Sequence, residues 1–158
     1  MKTILKLTFL FAFGLLMVSC GGGTPVTTPG TAESTTPAAT DPSYDAKRGE
    51  GKFTDVVIGE KLDLAKADAG NKAFDVKCSS CHKLTEEKLV GPGWKGVTSR
   101  RTAPWIMNFI TNTEEMLNKD PEAKAQLEIC LVRMPNQSLT DEDARNLLEF
   151  MRKNDGVK

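Results

Sequence analysis

The sequence predicts an all-α domain, and three observations carry that reading. Four segments show apolar residues at helical spacing, and three of them open on a capping residue. No two segments alternate apolar and polar residues as paired strands would. Aromatic content is only 6%, so a small domain has trouble filling a core with its own side chains. A large apolar group bound inside would supply the missing volume. The 158 residues suffice for one domain with appendages, and their formal net charge of zero gives no basic face for nucleic acid.

The chain opens with Lys2 and Lys6 ahead of the apolar run "TFLFAFGLLMV". That run is short for a transmembrane helix and has the layout of a secretory signal. It ends in "MVSC", where small Ser19 precedes Cys20. These residues resemble the lipobox of bacterial lipoproteins, with Met17 where leucine is commoner. The resemblance implies that residues 1–19 are a signal peptide and that Cys20 is acylated after cleavage. An uncleaved anchor, or an ordinary signal with a chance cysteine, is the plainer alternative.

Residues 20–60 read as the lipidated cysteine and a flexible linker. From 21 to about 45 the chain is Gly, Thr, Pro, Ser and Ala with almost no large apolar side chain. Such a stretch cannot bury enough surface to offset its ordering entropy. Tyr44, the chain's only tyrosine, falls there and receives no role. Residues 46–64 are ambiguous; Val56, Val57 and Ile58 suggest a small extension lying on the domain.

Residues 61–158 form the domain. In "LAKADAGNKAFDVK", Ala65, Ala69, Ala73 and Val76 make one stripe with Phe74 beside it, and the pattern runs straight into Cys78. "TAPWIMNFI" has Thr102 as N-cap and Pro104 in the first turn, with Trp105 and Phe109 paired at i,i+4, as are Ile106 and Ile110. "DPEAKAQLEICLV" has Asp120 as cap, followed by Pro121 and Glu122. "LTDEDARNLLEFMRK" has Thr140 capping with Asp143, then Ala144, Leu147, Leu148 and Met151 at i, i+3, i+4 and i+7. Gly156 marks its end.

The chemistry concentrates in "VKCSSCHKL", where Cys78 and Cys81 stand three apart and His82, the only histidine, follows. Structural zinc needs four protein ligands, and Cys130 lies far off inside a helical pattern. A thioredoxin-like pair opens a helix after a strand, whereas this pair closes a helix. C-x-x-C-H is the attachment signature of c-type haem. One turn of chain offers two thiols to the haem vinyl groups, and the next residue offers an imidazole to the iron. Covalent attachment outside the cytoplasm agrees with the export signal.

From this motif onward the chain resembles class I c-type cytochromes over roughly residues 66–154. Gly70 and Phe74 match the glycine and aromatic of that family's first helix, and Phe150 matches the aromatic of the last helix that crosses it. "GPGWKGVTSRRT" follows the family pattern G-P-x-L-x-G-x-x-G-R-x-T, departing at Trp94 and Ser99. The resemblance implies a small cytochrome c fold around one covalent haem c, with His82 as one iron ligand. It also implies that the Pro92 carbonyl accepts a hydrogen bond from His82, and that Arg100 faces a haem propionate. By its own chemistry Arg100 reads equally well as a surface charge. Trp94 and Trp105 could line the haem or donate to a propionate, with core packing the plainer role. Cys130 reads as a small apolar residue in the core.

The chain has no second histidine, which excludes a bis-histidine haem within it, and the family resemblance implies a methionine at the sixth iron position. Met107 and Met151 lie inside helical patterns, and Met116 lies on an acidic stretch. Met134 lies in "LVRMPNQS", between two helices and before Pro135, as the family's axial methionine does. The resulting expectation is a monomeric, membrane-tethered cytochrome c on the periplasmic side of the cell envelope, and no enzyme. It would carry single electrons in a respiratory chain from a quinol-oxidising complex to a terminal oxidase or reductase, nitrous oxide reductase being one candidate. The alternative is a haem enzyme or gas sensor with an open or labile sixth position.

Overall fold

The first and last helices among the described residues cross so closely that only a glycine fits between them. A computed structural model describes residues 43–158; the expectations for the signal segment, for Cys20 and for the linker up to residue 42 lie outside the described residues. The first helix, α1 (Leu64–Lys77), begins where the Asp63 carboxylate accepts from the Lys66 amide at 3.0 Å. The last, α6 (Asp141–Asn154), begins with a reciprocal capping box between Thr140 and Asp143. At the crossing, a Cβ placed on Gly70 would stand 2.1 Å from the Asn146 carbonyl oxygen and 2.8 Å from the Phe150 Cβ. Hydrogen in place of a side chain therefore sets the spacing of the two backbones.

Between them lie α2 (Val97–Arg100), α3 (Ala103–Thr111), α4 (Thr113–Lys119) and α5 (Pro121–Cys130). Thr102 caps α3, accepting from the Trp105 amide, and Asp120 caps α5, accepting from the Ala123 amide, as their sequence patterns predict. The one-turn α2 and the short α4 carry no clear periodic signal. No strand occurs among the described residues. The core joins Phe74, Trp94, Trp105, Ile106, Ile110, Leu117, Leu147, Leu148 and Phe150. Each large apolar side chain buried there contributes roughly 1.5–3 kcal/mol.

The buried face of α1 differs from the alanine stripe. Ala67, Gly70 and Phe74 are buried, while Ala65 and Ala69 are exposed and Val76 is 84% exposed. The reason is the crossing: α6 meets α1 along the line through Gly70, and small alanines carry too little apolar surface to choose the face themselves.

The linker expectation also needs correction at its C-terminal end. From Tyr44 onward the chain is packed on the helices, because side chains of α3, α4 and α6 satisfy its backbone. The buried Asn108 accepts from the Phe53 amide at 2.9 Å and donates to the Arg48 and Phe53 carbonyls. Asn112 donates to the Glu50 carbonyl. Further on, the buried Glu149 pairs with Arg145 at 2.7 Å and Arg152 at 2.9 Å, and Arg152 donates to the Gly59 carbonyl. Val56 packs against the core, while Val57 and Ile58 point outward.

Replacing Gly70 with alanine tests the crossing. In an exposed helix that change stabilises by up to about 1 kcal/mol. Here it should instead destabilise by about 1–3 kcal/mol through overpacking against backbone, read as a lowered denaturation midpoint. A raised midpoint would remove the close crossing as a constraint.

Candidate haem-binding site

The turn that holds the two cysteines is wound by its own backbone. The Cys78 amide donates to the Phe74 carbonyl, closing α1, and the Cys81 and His82 amides both donate to the Cys78 carbonyl, at 3.0 and 2.9 Å. Cys78 is buried and Cys81 half-buried, and both are free thiols. Burial pushes the Cys78 thiol up to about 11, so it stays protonated at neutral pH. That is the opposite of the lowered value a redox dithiol needs. No cluster of three or more His, Cys, Asp or Glu that could hold a metal exists among the described residues, which weighs against structural zinc.

The loop after the motif folds back on it. The Val90 and Gly91 amides donate to the Cys81 carbonyl. A Cβ on Gly91 would stand 2.4 Å from the His82 Cε1, so only glycine lets the loop pass the imidazole. The next residue orients the ring: His82 Nδ1 lies 2.8 Å from the Pro92 carbonyl oxygen. A carbonyl only accepts, so Nδ1 carries the proton and the Nε2 lone pair is left free. Burial lowers the His82 pKa and outweighs the opposing effect of the Pro92 hydrogen bond. The imidazole is therefore held neutral, in the tautomer a metal ligand needs. Trp94 braces it, its ring centroid 5.6 Å from His82 and 4.8 Å from Phe74 in an edge contact. Phe74 in turn meets Phe150 of α6 at 5.5 Å.

Cys81 and His82 open onto an apolar cavity of about 230 Å³. Ile106, Phe109 and Ile110 of α3, Leu127 of α5 and Met151 of α6 contribute to its walls, together with Trp94 and Met134. Met134 sits in the irregular chain between α5 and α6. Two non-glycine residues with positive φ, Leu131 at 61° and Ser138 at 50°, bracket that chain. Lys77 pins it to the end of α1 by donating to the Gln137 carbonyl.

The structure thus brings Cys81, His82, Pro92, Trp94, Arg100 and Met134 around one cavity, with Cys78 buried at its motif neighbour. Met107 and Met116 are absent from the lining: both are buried, and Met116 accepts from the Glu50 amide instead. Arg100 is an exposed rim residue whose Nη1 donates to the Lys95 carbonyl. Trp105 lines the cavity, but its indole N–H goes to Asp120 rather than inward. Cys130 is half-buried on the lining and lies outside the core cluster. The sequence reading missed Asp120 beyond its role as a cap, and no local pattern signals its partners.

Two thiols, a neutral imidazole with a free Nε2, and an adjoining apolar cavity match the chemistry of haem c. The cytochrome c family model matches residues 67–155. The chain belongs to the cytochrome c family. It is an electron-transfer haem protein carrying covalent haem c, and Cys78 and Cys81 fit the attachment motif. Among solved structures it is similar to cytochrome c from Rhodothermus marinus, at 33% identity over 66% of this chain and 90% of that one, with a TM-score of 0.64. An engineered form of that cytochrome, bound to a carbene intermediate (1-ethoxy-1-oxopropan-2-ylidene), matches at 32% identity over the same shares, with a TM-score of 0.61. No curated protein matches the chain.

Attachment through the two thiols has a direct check. A Cys78→Ser, Cys81→Ser double variant of this cytochrome should lose the haem-stained band after denaturing electrophoresis, where the unmodified protein keeps it. Full-yield staining of the variant would contradict thioether attachment.

Proposed function

We propose that this cytochrome is a membrane-tethered, single-haem electron carrier, with His82 and Met134 as the two axial iron ligands. The observation that carries the reading is the shared cavity. His82 offers a free, neutral Nε2, and Met134, half-buried in the loop between α5 and α6, enters the same lining. Met151 also lines the cavity but is 3% exposed within α6, as a packing residue would be. The haem supplies a one-electron couple when bound, and a His/Met ligand pair leaves no position open to substrate. The chain orients the imidazole through Pro92, braces it with Trp94 and excludes water with the α3 side chains. Arg100, at the rim, is the candidate partner of a propionate.

The cavity edge supports exchange with other proteins. Val90 and Val132 line it and are 39% and 55% exposed, so apolar surface lies where a redox partner would approach. We assign the upstream partner to a quinol-oxidising complex and the downstream one to a terminal oxidase or reductase, nitrous oxide reductase included. The anchor is the acylated Cys20 on the periplasmic side, and the carrier acts as a monomer. A second reading is favoured by the engineered relative, which holds a carbene intermediate. In it, the sixth position is open or labile, and the protein is a haem enzyme or gas sensor.

Two experiments test these assignments. Replacing Met134 with alanine removes a soft, neutral ligand that favours ferrous iron. The reduction potential should fall by about 100 mV, roughly 2 kcal/mol for a one-electron couple, and the ferrous protein should begin to bind CO. Met107→Ala and Met116→Ala should keep the ferric iron–sulfur absorption band. Ready CO binding by the unmodified protein would favour the sensor or enzyme instead. Separately, Cys20→Ala should move the protein from the membrane to the soluble fraction with its haem spectrum intact. More than one acyl chain is expected, since a single chain anchors only marginally; an unmodified mass at Cys20 would exclude lipidation.

A further inference from the structure

Electron transfer as described leaves the buried Asp120 carboxylate without a role. Asp120 is 0% exposed and stands between α4 and α5. Its Oδ2 accepts from the Tyr44 hydroxyl at 2.5 Å and from the Trp105 indole N–H at 3.0 Å, and its Oδ1 accepts from the Ala123 amide at 2.7 Å. Three donors face its two oxygens, so the group is a carboxylate, and all three donors are neutral. Trp105 and Ala123 both line the haem cavity. A negative charge taken out of water thus stands directly behind the cavity wall. The Arg101 guanidinium lies 4.8 Å from the Trp105 ring and pairs with the more exposed Glu122.

We propose that Asp120 is a built-in control of the haem potential, and that Tyr44, reaching in from the N-terminal segment, sets its strength. The physical basis is charge compensation. Ferric haem carries one more positive charge than ferrous haem, so a nearby carboxylate favours the ferric state. In a low-dielectric wall that interaction is weakly screened. Each hydrogen bond to the carboxylate draws off part of its charge. The phenol is a strong neutral donor, and burial together with its bond to Asp120 raises its pKa, so it keeps its proton. Tyr44 therefore partly masks Asp120 without neutralising it. The segment from residue 43 to 60 then acts on the redox site as well as on stability. This rests on the covalent haem and not on which residue takes the sixth position.

The test is potentiometric titration of the full-length holoprotein. Asp120→Asn, which deletes the charge and nearly keeps the shape, should raise the potential. Tyr44→Phe, which deletes only the donor, should lower it. Both shifts should persist at high ionic strength, because the group is buried. A role confined to packing predicts otherwise: both variants would loosen the same contacts and shift the potential the same way. Asn112→Ala serves as the packing control. It removes the bond to the Glu50 carbonyl, which ties the same segment to α4, without touching Asp120, and should leave the potential unchanged. Where Asp120→Asn fails to accumulate as holoprotein, Tyr44→Phe decides alone. An unchanged or raised potential in Tyr44→Phe, or an equal fall in Asn112→Ala, would overturn the proposal.

Discussion

The contact of α1 with α6 at Gly70 is the constraint from which the site follows. A backbone carbonyl of α6 occupies the place a side chain would take on α1. Because the two helices meet there, Phe74 one turn further along reaches both Phe150 and Trp94. Trp94 then braces His82, and the end of α1 at Cys78 sets where the two thiols stand. One interhelical distance thereby fixes the depth of the haem-binding turn. The sensitivity is sharp because both sides of the contact are backbone, which cannot adopt a new rotamer.

His82 shows how the same motif is selected for metal ligation over thiol chemistry. Two effects act on its ring in opposite directions. Burial disfavours the imidazolium, and the Pro92 carbonyl favours a proton on Nδ1. Together they yield one neutral tautomer with Nε2 free. The adjoining Cys78 is buried enough that its thiolate is disfavoured. Thiol nucleophilicity and disulfide exchange need the opposite environment. The local electrostatics therefore agree with the cytochrome c assignment independently of the motif.

A second theme is the use of buried polar groups to hold chain that has little hydrophobic surface of its own. Asn108, Asp120 and Glu149 are each almost wholly buried, and each binds the N-terminal segment or the turn into α1. No buried side-chain nitrogen or oxygen among the described residues lacks a partner. That complete satisfaction is what makes such groups tolerable in a core, since an unpaired one costs about 1–3 kcal/mol. It also explains why α6 can bury Glu149 and Arg152 alongside Leu148 and Phe150: residues 59–63 cover the face that would otherwise meet water.

The sequence by itself determined the all-helical class, the caps at Thr102, Asp120 and Thr140, and the haem motif. Each depends on residues within a few positions of one another, where spacing alone carries the physics. It also named Gly70, Phe74, Phe150 and Pro92 through family resemblance, and their contacts stand as that resemblance implies. Only the tertiary structure decided which face of α1 is buried, because that face is chosen by α6 and not by the weakly apolar alanines. Only it decided that residues 44–60 pack down, because their stabilising partners lie 50 or more positions away on α3, α4 and α6. The same distance hides the second role of Asp120. As a helix cap it is legible from Pro121 and Glu122, but its bond to Tyr44 spans 76 positions, and no local pattern encodes a hydrogen bond made across that much intervening chain.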